Sequence, residues 1–162
     1  MRRDLAYLRH PITLSMLILW IVNDHVLKEL YGNIWTGKLS DIAGLVVFPL
    51  FLFALYEVFV ETARPRQALS ICIAAAGLFF IGLNSVESFS NAVCYLIGGL
   101  QWPFKALVGL TRGTGIPPFI PTTATPDVTD LYTLPALGLA WRVGRAELRS
   151  SEISQHSDNS AR

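Results

Sequence analysis

A small set of polar side chains in an otherwise apolar chain has the chemistry to attract or to pass cations. Carboxylates, carboxamides and imidazoles are costly within membrane helices, and such groups commonly mark ion or proton pathways. We therefore interpret the set as the lining of a pore or as a polar network between helices. Its members are Asn23, Asp24, His25, Asp41, Glu87 and Asp130. The alternative is that each acid only caps a helix, because acids are favoured at helix N-termini.

Two of these acids have neighbours that predict their local role. Asp24 precedes Lys28 by four residues, a spacing that places both side chains on one helix face and favours an ion pair. Asp41 follows Ser40 at the entry to a long apolar run, where either side chain is a suitable N-cap. We expect an ion pair at the first position and a helix start at the second.

The composition of the chain predicts an integral membrane protein. Its 162 residues are 52% hydrophobic and 15% charged, with a mean hydropathy of +0.44, which is too apolar for an ordinary soluble domain. The net charge of +1 gives no support to nucleic acid binding. Cys72 and Cys94 lie in apolar surroundings without metal-ligand spacing, so we interpret them as small buried hydrophobes. We expect the lipid bilayer as a partner, and neither a metal nor a cofactor.

The apolar runs predict an all-α fold, a polytopic membrane helical bundle of about four transmembrane helices. The predicted spans cover roughly residues 11–31, 40–60, 67–88 and 127–142. Residues 67–110 are too long for one crossing, because a straight helix of that length would measure about 66 Å, twice the hydrocarbon thickness. We therefore expect a break in this stretch, followed by an extra helix that is interfacial, re-entrant or projecting from the bilayer.

The remaining segments are predicted from their polarity and their prolines. Residues 1–149 form one predicted transmembrane helical domain, in which the N-terminal apolar run is a retained span. The segment from Thr111 to Asp127 holds four prolines, which favour an ordered loop without regular structure. Residues 150–162 are polar, and we expect them to form a disordered tail.

The distribution of basic residues predicts the orientation of the chain. Eight arginines fall on one side of the four-span arrangement and four basic residues on the other, which favours both termini in the cytoplasm. We expect the chain to lie in the inner (cytoplasmic) membrane. The first group is Arg2, Arg3, Arg9, Arg64, Arg66, Arg142, Arg145 and Arg149, and the second is Lys28, Lys38, Lys105 and Arg112. We interpret four of the first group as a docking site for an anionic signal or partner. They are Arg64, Arg66, Arg142 and Arg145.

Two longer segments carry a resemblance to known proteins. The chain has TGKLSDIAGLVVFP at residues 36–49 and TDLYTLPALGLAW at residues 129–141. It resembles a group of small bacterial four-span membrane proteins that share these segments, and its Asn23-Asp24-His25 triplet is similar to that group's first span. By size and architecture alone, the chain also resembles the channel-forming effectors of bacterial anti-phage defence. That second resemblance implies a homo-oligomer that opens on a nucleotide or oligonucleotide signal.

The leading hypothesis for function is a homo-oligomeric ion channel. Four spans leave one protomer little room for a water-filled path, whereas several copies around an axis can enclose one and present rings of acids to cations. The alternatives are a non-conducting membrane assembly or interaction subunit, or a small ion-coupled transporter. The chain contains neither HExxH nor GxSxG, and we predict that it is not an enzyme.

Overall fold

The computed structural model describes residues 5–60 and 64–160, with side chains described through residue 153. Every regular element within these ranges is a helix, as predicted for an all-α protein. In chain order the elements are α1 (Ala6–Arg9), α2 (Pro11–Val22), a π-helical turn (Asn23–Leu27), α3 (Lys28–Leu30), α4 (Ile34–Phe59), α5 (Pro65–Ser85), α6 (Glu87–Thr111), a 3-10 turn (Val128–Thr133) and α7 (Ala136–Ser160). The chain divides into two compact units, one up to Leu78 together with the residues from Tyr132 on, and one of Phe79–Leu131.

Three helices among the described residues are long and apolar enough to cross a membrane, namely α4, α5 and α6. Their 26, 21 and 25 residues exceed the roughly 20 that a bilayer core requires. This set differs from the four predicted spans. The first predicted span is divided among α2, the π-helical turn and α3, and the last one begins as a 3-10 turn. The first is therefore not one continuous α-helix, and α7 is long, with 25 residues, but too polar to be among the long apolar helices.

The segment before α4 forms a helical stretch that the π-helical turn widens without breaking. Pro11 occupies the first turn of α2, as its missing N–H permits, and the Nδ1 atom of His10 accepts a hydrogen bond from the Ile12 N–H at 3.2 Å. In the π-helical turn the N–H of Lys28 donates to the carbonyl of Asn23, five residues earlier. We call α2, this turn and α3 together the first helical stretch.

Helix α4 begins at Ile34, so the prediction that Ser40 or Asp41 caps it is wrong. Its N-cap is Asn33, whose side chain accepts from the Thr36 N–H at 3.1 Å while the Thr36 hydroxyl accepts from the Asn33 N–H at 3.2 Å. This reciprocal pair is a capping box, which satisfies free backbone donors at the helix start. Helix formation therefore begins before Ser40, which lies inside α4.

The core of the first unit lies where α1, α4, α5 and α7 meet. Two glycines of this unit allow close approach: a Cβ at Gly77 would lie 2.9 Å from Leu137, and one at Gly144 would lie 2.7 Å from Leu69. These contacts show that α7 runs antiparallel to α5. The buried cluster consists of Tyr7, Leu50, Phe53, Ala54, Ala68, Leu69, Ala140 and Val143.

Helix α7 continues to Ser160, so the structure differs from the prediction that a disordered tail begins at residue 150. The sequence after Gly144 contains neither proline nor glycine, so nothing in it stops a helix. An ion pair between Arg66 of α5 and Glu152 also holds this part of α7 against the bundle. Residues 161–162 of the predicted tail lie outside the described residues.

The second unit consists of the end of α5, α6 and the loop that follows. Val86 is extended, with φ −126° and ψ 101°, and this residue provides the break predicted between residues 67 and 110. The proline-rich loop has no regular structure from Ile116 to Asp127 and is held on α6, as the indole N–H of Trp102 donates to the Pro117 carbonyl at 3.0 Å. The prediction of an ordered irregular loop is confirmed.

Candidate functional site

A chain of hydrogen bonds joins the first helical stretch to the beginning of α4. The Nδ2 atom of Asn23 donates to the backbone carbonyl of Thr36 at 2.7 Å and to the Ser40 hydroxyl at 2.6 Å. The Ser40 hydroxyl donates in turn to Oδ1 of Asp24 at 2.6 Å. The ammonium of Lys28 lies 2.8 Å from the same carboxylate oxygen. We call these five residues the polar cluster.

The π-helical turn and α4 each bring two members of the polar cluster to a common face. Thr36 and Ser40 are four residues apart in α4, so they lie one above the other. Asn23 and Asp24 are consecutive, yet both side chains reach Ser40 from the widened turn. Single π-helical turns are rare and occur frequently at functional sites. The predicted Asp24–Lys28 ion pair is confirmed at this turn.

The polar cluster is buried on one side and partly exposed on the other. Asn23 is 0% exposed, and Thr36 and Ser40 are also buried. The side chains of Asp24 and Lys28 retain 37% and 42% of their exposure. Oδ1 of Asn23 accepts no hydrogen bond from the described residues, and an unmatched buried acceptor typically costs about 1–3 kcal/mol. The cluster thus combines a buried amide with a partly exposed ion pair.

The other predicted members of the pore or polar network lie outside these contacts or in the other unit. His25 is exposed on the π-helical turn, and Asp41 is half-buried on α4, one residue after Ser40. Glu87 is exposed in the first turn of α6, where an acid suits the helix dipole. Asp130 is half-buried in the 3-10 turn of the second unit, and its N–H donates to the Asp127 carbonyl at 2.9 Å. A common level for the six groups remains a prediction.

The sequence did not lead us to predict that Thr36 and Ser40 belong to the polar cluster. We predicted Ser40 only as a helix cap and assigned no role to Thr36. The available signal was the spacing of two hydroxyl residues four apart at the start of an apolar run, which places both on one face. Their pairing with Asn23 depends on how two helices pack, and local sequence does not specify that.

Two of the predicted docking arginines line a cavity between α5 and α7. The cavity has a volume of about 510 Å³, and its lining includes Arg66, Arg145 and Trp141. The guanidinium of Arg145 lies 4.5 Å from the centroid of the Trp141 ring. Arg64 and Arg142 are exposed but do not line this cavity. Arg2 and Arg3, two of the eight arginines that predict the orientation of the chain, lie outside the described residues.

The side chains of the polar cluster and of the arginine-lined cavity determine which ions these two sites suit. Among the described residues no group of three or more His, Cys, Asp or Glu side chains could hold a metal ion. Carboxylate oxygens such as those of Asp24 are groups that attract cations, and guanidinium groups such as those that line the cavity are groups that attract anions. Comparisons of the chain with protein-family models, with curated proteins and with solved structures give no match.

Proposed function

We propose that the chain is an integral protein of a bacterial inner membrane that assembles as a homo-oligomer and conducts cations. In this proposal the polar cluster flanks the conducting path, and Asp24 is the group that attracts the ion. The membrane character is supported by the three long apolar helices. The homo-oligomer and the conduction are our inference from the exposure and the charge of the polar cluster.

The proposal includes four membrane crossings. It is supported by the length of the first helical stretch and by the helix ends that lie together in the first unit. The first helical stretch is long enough, because about 20 residues at 1.5 Å each measure about 30 Å. The Tyr7 hydroxyl donates to the Glu57 carboxylate at 2.9 Å, so α1 lies beside the end of α4. The Arg66–Glu152 ion pair brings the later part of α7 to the start of α5, which is the same end of the bundle. We propose that this basic end faces the cytoplasm.

The single observation that carries the conduction proposal is the partly exposed Asp24–Lys28 pair in an apolar helical stretch. Ile21, Val22 and Val26 around it are exposed as a lipid-facing surface would be. Charged side chains inserted at the centre of a bilayer cost roughly 2.5–3.5 kcal/mol each. Water along a path between protomers would remove this cost, and a ring of Asp24 carboxylates from several copies would favour cations.

A second candidate function, a non-conducting assembly subunit, is favoured by a specific contact. The Lys28 ammonium lies 2.8 Å from the Asp24 carboxylate and offsets its charge. A neutralised pair attracts cations weakly, while the hydrogen bonds of Asn23 and Ser40 still fix the packing of two helices. In this candidate the polar cluster has a structural role alone.

The experiment that tests the proposal is potassium flux from phosphatidylcholine liposomes that contain the purified full chain. We expect the wild type to release potassium and Asp24→Asn to reduce the rate several-fold. Glu29→Gln is the matched control, because Glu29 is an exposed acid on α3 that belongs to no contact of the polar cluster. Molecular mass in detergent, measured by light scattering, gives the copy number of each variant.

The outcomes separate the two candidates. Equal flux in Asp24→Asn and Glu29→Gln would remove Asp24 from the path. An oligomer without any flux favours the assembly subunit, and a monomer in both detergent and bilayer excludes a pore between protomers.

A further inference from the structure

A cavity between α5 and α7 is lined by exposed side chains, two of which are arginines. The start of α5 and the middle of α7 line it, and both belong to the first unit. Its lining residues are Arg66, Gln67, Ser70, Ile71, Trp141 and Arg145. With a volume of about 510 Å³ it can accommodate a phosphate group together with part of the molecule that carries it.

Neighbouring side chains hold both arginines of the cavity in place. The Arg66 guanidinium is paired with the Glu152 carboxylate, and the Arg145 guanidinium lies over the Trp141 ring at 4.5 Å. The Arg145 guanidinium, which lies over the Trp141 ring, loses less conformational entropy on binding a ligand than an unrestrained guanidinium would. Two arginines line the cavity and the carboxylate of Glu152 pairs with one of them, so these three groups together carry a net positive charge.

The chemistry of the lining favours a phosphate with an apolar group attached to it. Guanidinium groups bind phosphate oxygens through paired N–H donors, a geometry that a lysine ammonium does not provide. The exposed side chain of Ile71 and the partly exposed ring of Trp141 add an apolar wall beside the arginines. Tryptophan and arginine together are typical of the level of lipid headgroups in membrane proteins.

We infer that the cavity bounded by Arg66, Arg145 and Trp141 binds a phosphate-bearing anion with an apolar portion. Two sources share this chemistry, an anionic lipid headgroup and a soluble nucleotide. The inference does not depend on ion conduction, because it follows from the cavity alone.

Glu152 sets the affinity of this cavity for its ligand. Its carboxylate occupies Arg66, so a phosphate group must displace it or share the guanidinium with it. Since a bound phosphate and Glu152 carry the same sign of charge, their proximity weakens binding. Replacement of Glu152 by glutamine therefore strengthens binding of the anion.

The experiment measures lipid and phosphate binding by the full chain in a neutral detergent, with native mass spectrometry as the readout. The lipid probes are phosphatidylglycerol and phosphatidylcholine, and the soluble probes are ATP and inorganic phosphate. The variants are Arg66→Gln/Arg145→Gln and Glu152→Gln. Arg112→Gln is the matched control, because Arg112 is an exposed arginine at the end of α6 and outside the cavity.

One expected result is that the wild type binds phosphatidylglycerol more tightly than phosphatidylcholine. If the affinity for phosphatidylglycerol then falls roughly tenfold or more in the double variant, and not in Arg112→Gln, the cavity binds a lipid headgroup. Binding of ATP with the same dependence on the variants, without lipid selectivity, assigns it to a soluble phosphate. Equal binding of every probe by the double variant and the control overturns the inference. Binding that does not rise in Glu152→Gln overturns the role given to that residue.

Discussion

The Ser40 hydroxyl donates to the Asp24 carboxylate at 2.6 Å, and this bond joins α4 to the π-helical turn. A hydrogen bond to an ionised acceptor is shorter and stronger than one between neutral groups. The same hydroxyl accepts from Asn23 at 2.6 Å, so a single side chain connects a buried amide to a partly exposed ion pair. The polar cluster thus joins these two helical segments through side-chain hydrogen bonds.

Replacement of Ser40 by alanine is expected to lower the free energy of unfolding by about 1–3 kcal/mol, because it removes a donor to Asp24 and an acceptor for Asn23. Thermal unfolding in detergent, followed by circular dichroism, measures the change. Ser15→Ala is the control, since Ser15 is exposed on α2, and it should leave the melting temperature nearly unchanged. A Ser40→Ala variant that melts with the control would show that this bond contributes nothing to stability.

Replacement of Asn23 by aspartate is expected to destabilise the fold more than Ser40→Ala does. The new carboxylate cannot donate to the Thr36 carbonyl, and it would lie beside Asp24 in a buried position. A buried charge that is left uncompensated typically costs about 3–5 kcal/mol. Thermal unfolding at neutral pH provides the measurement, and a melting temperature equal to that of the wild type would contradict the buried contact of Asn23 with α4.

Replacement of Lys28 by glutamine tests the charge balance of the proposed path. This change removes the ammonium that lies 2.8 Å from Asp24, so the carboxylate should attract cations more strongly. We expect the reversal potential in a potassium chloride gradient to shift toward the potassium equilibrium potential in planar bilayers. A shift in the opposite direction, or none, would argue that the Asp24–Lys28 pair is remote from the ions.

Two glycines of α7, one packed against α5 and one exposed, should respond in opposite directions to the same substitution. A Cβ at Gly144 would lie 2.7 Å from the buried side chain of Leu69, whereas one at Gly138 has no atom within 4 Å. Gly144→Ala should therefore cost about 1–3 kcal/mol through overpacking. Gly138→Ala should instead stabilise α7 by roughly 0.5 kcal/mol through its helix propensity. Melting temperatures that move in the same direction would contradict the register of α5 and α7.

Adjacent glycines of α6 offer a matched test of the loop that lies on it. A Cβ at Gly98 would lie 2.9 Å from the Cα of Pro121, while one at Gly99 meets nothing within 4 Å. Gly98→Ala should displace the loop and raise its rate of cleavage by a nonspecific protease, because backbone atoms cannot yield as a side chain can. Gly99→Ala should be cleaved at the wild-type rate, and equal cleavage of both variants would contradict the contact.

Several properties of the structure were predictable because they depend on composition or on neighbours in the sequence. Apolar runs predicted helices long enough for a membrane, although the part of the chain that the structure describes holds three long apolar helices and not four. The four-residue spacing of Asp24 and Lys28 predicted their ion pair, since one helical turn is enough to form it. The start of α4 was misplaced because Ser40 and Asp41 are good caps in isolation, yet the capping box at Asn33 precedes them.

Composition and apolar runs were enough to predict a helical, apolar chain, because an apolar segment that crosses a bilayer must form its backbone hydrogen bonds locally, as a helix does. The contact of Asn23 with Ser40, and the cavity that Arg66 and Arg145 share with Trp141, follow only from the packing of the helices. Those partners are far apart in the chain, so their meeting depends on the angle and the register at which helices pack. Local propensity contains no information about either quantity.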